Sequence, residues 1–333
     1  MSAATLTTTR PIALLGPQHT TPTLSSALEG IGAKGPIVLV AAGWEEREAE
    51  TSELEAHIGS KVQNLGLWPA CEAAFEEDAQ LRAQMFVRYD RMQELSRIYR
   101  IRLSAELGAL RKLLAETDPG RPNDLVGPAL NPAFEALRAL DQNHLDRVTE
   151  VNDEVFDAIR KRDAVRAKAE EVAERVAQAG ACLVAGGHVG ILYNRMRLFG
   201  VLDALPESAA IVGWSAGAMV LTERILLFHD SPPQGAGDAE LHGPGFGIAK
   251  GITALPHAGS RLDLEDGARV ALLARRMGEG SISVALDGGE CVVSSGAGWA
   301  FDGKARVLAV DGSVVAPAQG ESAQGESAQG ARA

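Results

Sequence analysis

A chain of 333 residues is long enough for one large α/β domain or two ordinary ones, and it can bury a substantial core without disulfide staples. Its formal charge of −12 argues against a nucleic-acid-binding surface, because phosphate contacts need Lys and Arg in local excess over acids. The three cysteines, Cys71, Cys182 and Cys291, form no C-x-x-C pair, and the last two lie in apolar runs as small core residues.

The Thr-rich, polar start lacks the charged region, apolar core and cleavage site of a secretion signal, and no apolar run approaches the ~20 residues that span a bilayer. A soluble cytoplasmic protein is the expectation. Residues 1–10 read as disordered. Pro11 to Leu15, closed by Gly16-Pro17, reads as a first strand, and Thr20 to Lys34 as a loop or short helix. Pro36 to Gly43 is a near-continuous apolar run. Such runs belong to strands buried on both faces, which implies a parallel sheet covered by helices. Trp44 to about Val62 suggests a helix, and Lys61 to Trp68 can hold another short strand.

After Pro69 the period changes. Met85, Tyr89, Met92, Ser96, Tyr99, Leu103, Leu110 and Leu114 recur at mostly three- and four-residue steps among many charges, which predicts one long amphipathic helix. Thr117 to Pro132 interrupts it with four prolines and two glycines. A second stripe then runs through Leu137, Leu140, His144, Val148, Val151, Val155, Ile159, Val165, Val172 and Val176. Two helices of about 45 residues, each about 65 Å long at 1.5 Å per residue, would fold into an antiparallel hairpin projecting well beyond a compact body. Spare apolar residues such as Phe86, Ile98 and Ile101 suggest an oligomerisation or docking arm; a solvated arm is the alternative. His144, on the stripe, reads as a packed residue.

The α/β pattern resumes with Ala181 to Val184, ending in Gly186-Gly187-His188, and a helix follows from Gly190 to Phe199. Ala209 to Gly213 is a buried strand, followed by a helix from Ala216. Ile225 to Phe228 and Ile252 to Leu255 are short apolar runs separated by a Gly/Pro-rich stretch from Pro232 to Gly247. Asp263 to Arg276 reads as a helix with a basic last turn, as the helix dipole favours. Ile282 to Leu286 is a buried strand; Glu290 to Val293, Trp299 to Phe301 and Val307 to Val310, divided by Asp-Gly turns, read as hairpins. From Ala318 the unit Ala-Gln-Gly-Glu-Ser occurs twice and then decays, with almost nothing to bury, so a disordered tail is expected.

The chemistry centres on Gly213-Trp214-Ser215-Ala216-Gly217. A strand-to-helix turn of this G-x-S-x-G form holds a serine hydroxyl out at the carboxyl end of a strand, and its glycines let the backbone pass close to itself. A serine needs a base, usually a histidine oriented by an acid. Asp230 lies fifteen residues after Ser215 and His257 forty-two after it, each beside a predicted strand end. The amides of Ala216, at a helix start, and Gly187, after a strand, are candidate oxyanion donors. A metal site gathered from His229, Asp230, His242 and His257 is a rival, although no helical H-x-x-x-H spacing supports it.

The double glycine Gly186-Gly187 after a strand, the run Gly-Trp-Ser-Ala-Gly-Ala at 213–218, the later Asp, and Pro256-His257 before a helix together resemble the dipeptidase E and cyanophycinase family of serine peptidases. The resemblance implies a class I glutamine amidotransferase-like fold over residues 11–68 and 177–315: an α/β body with a mostly parallel sheet flanked by helices. Residues 69–176 would be an inserted helical hairpin, C-terminal β-hairpins would close the body, and 316–333 would be the tail. It implies Ser215 as nucleophile, His257 as base and then acid, Asp230 as the orienting acid, and Gly187 and Ala216 as the oxyanion hole. No cofactor is implied, and the substrate would be a short peptide or isopeptide. His188 stands where the family usually has Asn or Asp. With Trp214 and Arg261 it is a candidate substrate contact, while Arg195, Arg197 and Arg224 are nearby cations. An α/β-hydrolase fold would explain the same elbow but usually places its acid and histidine further downstream. A non-catalytic scaffold using the helical arm, with assembly into a homo-oligomer, is the alternative function.

Overall fold

The apolar runs of the sequence become a central sheet because each can be buried on both faces. A computed structural model describes residues 10–116, 126–230, 237–278, 280–294, 298–302 and 304–317. The disorder expected for residues 1–9 and for the tail from Ala318, and much of the loop expected after Thr117, lie outside the described residues. In chain order the elements are β1 (Ile12–Leu15), α1 (Leu24–Gly30), β2 (Ile37–Val40), α2 (Ser52–Ile58), β3 (Gln63–Asn64), α3 (Leu67–Glu77), α4 (Ala79–Ala115), α5 (Gly127–Ile159), α6 (Asp163–Ala177), β4 (Ala181–Val184), α7 (Val189–Leu198), β5 (Ala210–Trp214) and α8 (Ala216–Leu221). They continue with β6 (Arg224–Leu227), β7 (Glu240–Pro244), β8 (Ile252–Pro256), α9 (Ala258–Arg261), α10 (Gly267–Met277), β9 (Ile282–Leu286), β10 (Cys291–Ser294), β11 (Trp299–Phe301), β12 (Arg306–Leu308) and β13 (Val314–Val315).

The main sheet has the order β11-β10-β1-β5-β4-β2-β3, with β1, β5, β4, β2 and β3 parallel and β10 and β11 added antiparallel on the β1 side. A second sheet, β13-β12-β9-β8, contains the parallel pair β8 and β9, and β6 with β7 form a separate antiparallel pair. The mostly parallel sheet flanked by helices is therefore present, but β8 and β9 do not join it. The strand β7 lies in the stretch that reads as a Gly/Pro-rich loop. Its one fully buried apolar side chain, Leu241, packs against Tyr99 and Leu140 from the helices, so tertiary burial rather than local alternation specifies it.

The helical region departs from two unbroken helices. Asp78 is extended (φ −124°, ψ 92°) and its carboxylate accepts from the Gln80 and Leu81 amides at 3.0 Å each, ending α3 and capping α4. Opposite it, Arg162 is extended (φ −75°, ψ 142°) between α5 and α6, and its guanidinium pairs with Asp78. The two breaks thus face and lock one another, leaving long helices of 37 and 33 residues.

Nor does the hairpin project as a free mast. Its base packs on the main sheet, with Leu67, Cys71, Phe156, Ile159 and Val172 in one core with Val38, Val40 and Val184. Its far half packs on the second sheet and α10 through Leu103, Leu107, Leu110 and Leu137 against Leu255, Val270 and Leu273. His144 is buried, stacks on Tyr99 with ring centroids 4.1 Å apart, and uses Nε2 on the Leu241 carbonyl at 3.1 Å, as a packed residue does. No helix among the described residues is long and apolar enough to cross a membrane.

Between hairpin and body lies a buried ion pair. Arg276, 2% exposed, donates to both Asp141 oxygens at 2.7 and 2.8 Å and to the Tyr99 hydroxyl at 2.5 Å, while Tyr99 donates to Asp141 at 2.7 Å. Removing one partner strands a desolvated charge. Asp141→Ala should lower unfolding free energy by about 3–5 kcal/mol, read from the urea midpoint.

Candidate active site

The turn after β5 is set by backbone crowding. A Cβ at Gly217 would come 1.9 Å from the Val184 carbonyl oxygen, so α8 can begin against the end of β4 only if that position is glycine. The residue between strand and helix then has no relaxed conformation: Ser215 adopts φ 52°, ψ −121°. Its amide is tied to the Leu15 carbonyl at 3.1 Å, and its carbonyl accepts from Met219 at 3.2 Å. The hydroxyl points into a cleft of about 550 Å³ lined by Trp44, Gly186, Gly187, Trp214, His257 and His57, among others, with Arg47, Glu50 and Glu53 at its charged side.

Across the cleft, Ser215 Oγ lies 3.0 Å from His257 Nε2. His257 follows β8 and is also left-handed (φ 58°, ψ 28°). Only three non-glycine described residues have positive φ, and two of them form this pair. The third, Glu45, lies in the 3-10 turn Ala42–Arg47, whose Gly43 and Trp44 line the same cleft. Gly43 also sets the opposite wall: its carbonyl accepts from His188 N at 2.8 Å and would be 2.1 Å from a Cβ at Gly187, which takes φ +103°. Gly186 and Gly187 line the same cleft, Gly186 next to the Ser215 side chain; Ala216 opens α8 as the next residue, and Ser215 makes no side-chain cap to that helix.

The expected acid is elsewhere. Both Asp230 oxygens are taken by Arg269, one also accepts the Asp263 amide at 2.9 Å, and the side chain is 8% exposed in this pairing. Asp230 follows β6, which belongs to the separate β6–β7 pair, so its strand end does not join the edge that carries Ser215. The carboxylate whose charge reaches His257 is that of Asp287. Strands β8 and β9 run parallel with Pro256 opposite Leu286, so the residues that follow, His257 and Asp287, emerge side by side. The His257 amide donates to the Leu286 carbonyl at 3.0 Å, and Gly259 N donates to both Asp287 oxygens at 3.0 Å. Arg306 holds the same carboxylate, and Glu290 accepts from the Asp287 amide at 2.5 Å. The signal in the sequence was an acid directly after a buried strand, thirty residues beyond His257; the Asp-Gly pair hid it as an ordinary turn.

Burial lowers the His257 pKa below its ordinary value of 6.5; the Arg261 charge adds to this and Asp287 opposes it. Arg261 is exposed and acts through its charge. His188 does not line the cleft: its Nδ1 accepts from Ile191 N at 3.2 Å and caps α7. Arg195 and Arg197 are paired with Glu72 and Asp153. The four residues of the rival metal reading are dispersed, with Asp230 on Arg269 and His242 half-buried beside His188, where desolvation pushes its pKa down to about 4. Among the described residues no group of three His, Cys, Asp or Glu side chains is gathered as metal ligands.

No protein-family model matches the chain, and no curated protein matches it. Among solved structures it is similar to the crystal structure of a peptidase from an acI-B1 Actinobacterium, with a TM-score of 0.46 at 15% identity over 92% of this chain and 96% of that chain.

Proposed function

We propose that the protein is a serine hydrolase that cleaves short peptides or isopeptides through an acyl-enzyme on Ser215. The observation that carries this reading is the 3.0 Å contact between Ser215 Oγ and His257 Nε2, made by two residues in strained backbone conformations at one cleft. His257 removes the Ser215 proton as Oγ adds to the scissile carbonyl, and the amides of Gly187 and Ala216 receive the oxyanion. The imidazolium then gives that proton to the leaving amine, and a water activated by the same imidazole releases the acyl group. Asp287, rather than Asp230, is the acid that steadies the imidazolium. A cleft of about 550 Å³ suits a ligand of a few residues, and its mixed Arg47, Glu50 and Glu53 side suits a substrate bearing both charges. The motif resemblance to the dipeptidase E and cyanophycinase family points the same way.

A fluorophosphonate probe should label the wild-type protein and leave Ser215→Ala unlabelled at unchanged circular dichroism. Equal labelling of both sinks the reading, and silence of the wild type towards probe and peptide libraries favours the non-catalytic scaffold. Asp287→Asn should lower kcat on the order of 10²–10⁴-fold, by analogy with loss of the orienting acid in other serine triads, whereas Asp230→Asn should still label.

The pH profile gives a second check. A general base must be neutral, so kcat/KM should rise with pH through an apparent pKa below 6.5. Arg261→Gln removes a charge that lowers this pKa and should move the acid limb upward. Asp287→Asn removes one that raises it and should move the limb downward.

A further inference from the structure

Large hydrophobic side chains exposed among the described residues are concentrated on one element: Phe86 (63%), Val87 (58%), Tyr89 (56%) and Ile101 (61%) all lie on α4, with only Val310 and Val315 elsewhere. The helix period explains how they are arranged. Phe86, Asp90, Glu94, Arg97 and Ile101 follow at steps of three and four residues and share one stripe, about 22 Å long, with Val87 beside it. The buried residues Leu81, Arg88, Leu95, Tyr99 and Leu103 occupy the opposite face, which packs on α5. The stripe is thus the outer surface of the hairpin, apolar at both ends and charged in the middle.

The order of its charges selects an occupant. In a parallel pairing with a second copy, Asp90 would meet Asp90 and Arg97 would meet Arg97. In an antiparallel pairing about a two-fold axis between Gln93 and Glu94, Asp90 lies opposite Arg97 and Phe86 opposite Ile101, each contact occurring twice, and the two Glu94 carboxylates meet at the axis, each held by its own Arg97. This self-complementarity is what an isologous interface requires. The competing contact within one chain is weak: Arg97 bonds Glu94 one turn away at 2.6 and 2.8 Å, with both side chains more than half exposed and so screened by solvent.

We propose that the protein assembles as a two-fold dimer in which the outer faces of two α4 helices pack antiparallel, Phe86 against Ile101 and Asp90 against Arg97. The stripe shares no residue with the cleft at Ser215, so the dimer stands or falls independently of the hydrolase reading.

Sedimentation velocity on the full chain should show a species of two 35.0 kDa chains that dissociates on dilution. Phe86→Ser with Ile101→Ser should give a monomer of unchanged circular dichroism. Asp90→Arg alone, which sets two arginines against each other twice, should weaken the dimer at least about tenfold, and Asp90→Arg with Arg97→Asp should restore it. A wild type that stays monomeric up to about 100 μM, whether or not it binds some other protein, overturns the proposal. So does a dimer that survives the double serine substitution, or a charge exchange that fails to recover association.

Discussion

The contact between the end of β4 and the start of α8 governs the rest of this structure. With the Val184 carbonyl 1.9 Å from where a Cβ of Gly217 would stand, helix and strand are too close for any side chain at that position. The linking residue is forced into φ 52°, ψ −121°, a conformation costing about 1–3 kcal/mol that persists only where its surroundings leave no alternative. Here β5 is buried along its whole length and paired on both sides, by β1 and β4, and the Ser215 amide is held by Leu15. The strain is thus carried by the sheet, and the hydroxyl is delivered to the cleft in one position.

The partner imidazole comes from a different layer. His257 and Asp287 leave adjacent parallel strands at the same level, so the register that aligns Pro256 with Leu286 also sets a carboxylate near the imidazole. Asp287 is itself held by Gly259 and Arg306, with Glu290 on its amide. Two opposing charges then act on the imidazole, Arg261 lowering its pKa and Asp287 raising it, while burial dominates and keeps it neutral near pH 7. A neutral imidazole against an alcohol is the state a general base needs before reaction.

The hairpin packs on both sheets, which also share one core directly through Ile252, Ala254, Val284 and Leu286. Its base shares a core with the main sheet and its far half with the second sheet and α10, which together carry Ser215 and His257 on opposite sides of one cleft. The Asp78–Arg162, Asp141–Arg276 and Arg111–Asp238 pairs mark the joints of this brace. The helical region is therefore built into the body, with the stripe of Phe86 and Ile101 on its outward face.

The strands β1, β2, β4 and β5, the tight turn at Ser215 and the double glycine were all legible in the sequence. Each depends on a local constraint: a run of apolar residues that must be buried on both faces, or a glycine where two backbones cross. Interactions between segments distant in the chain were not legible. Asp230 follows a short apolar run just as Asp287 does, and only the pairing of β6 with β7, and of β8 with β9, decides which acid leaves a strand next to that of His257. The stripe through Leu137, Val148, Val155 and Val172 likewise marks a helical face without saying where Asp78 and Arg162 will break it or what it will cover. Periodicity reports that a face must be buried; the identity of its partner is a property of the whole chain, settled when sheets and helices compete for the same apolar surface.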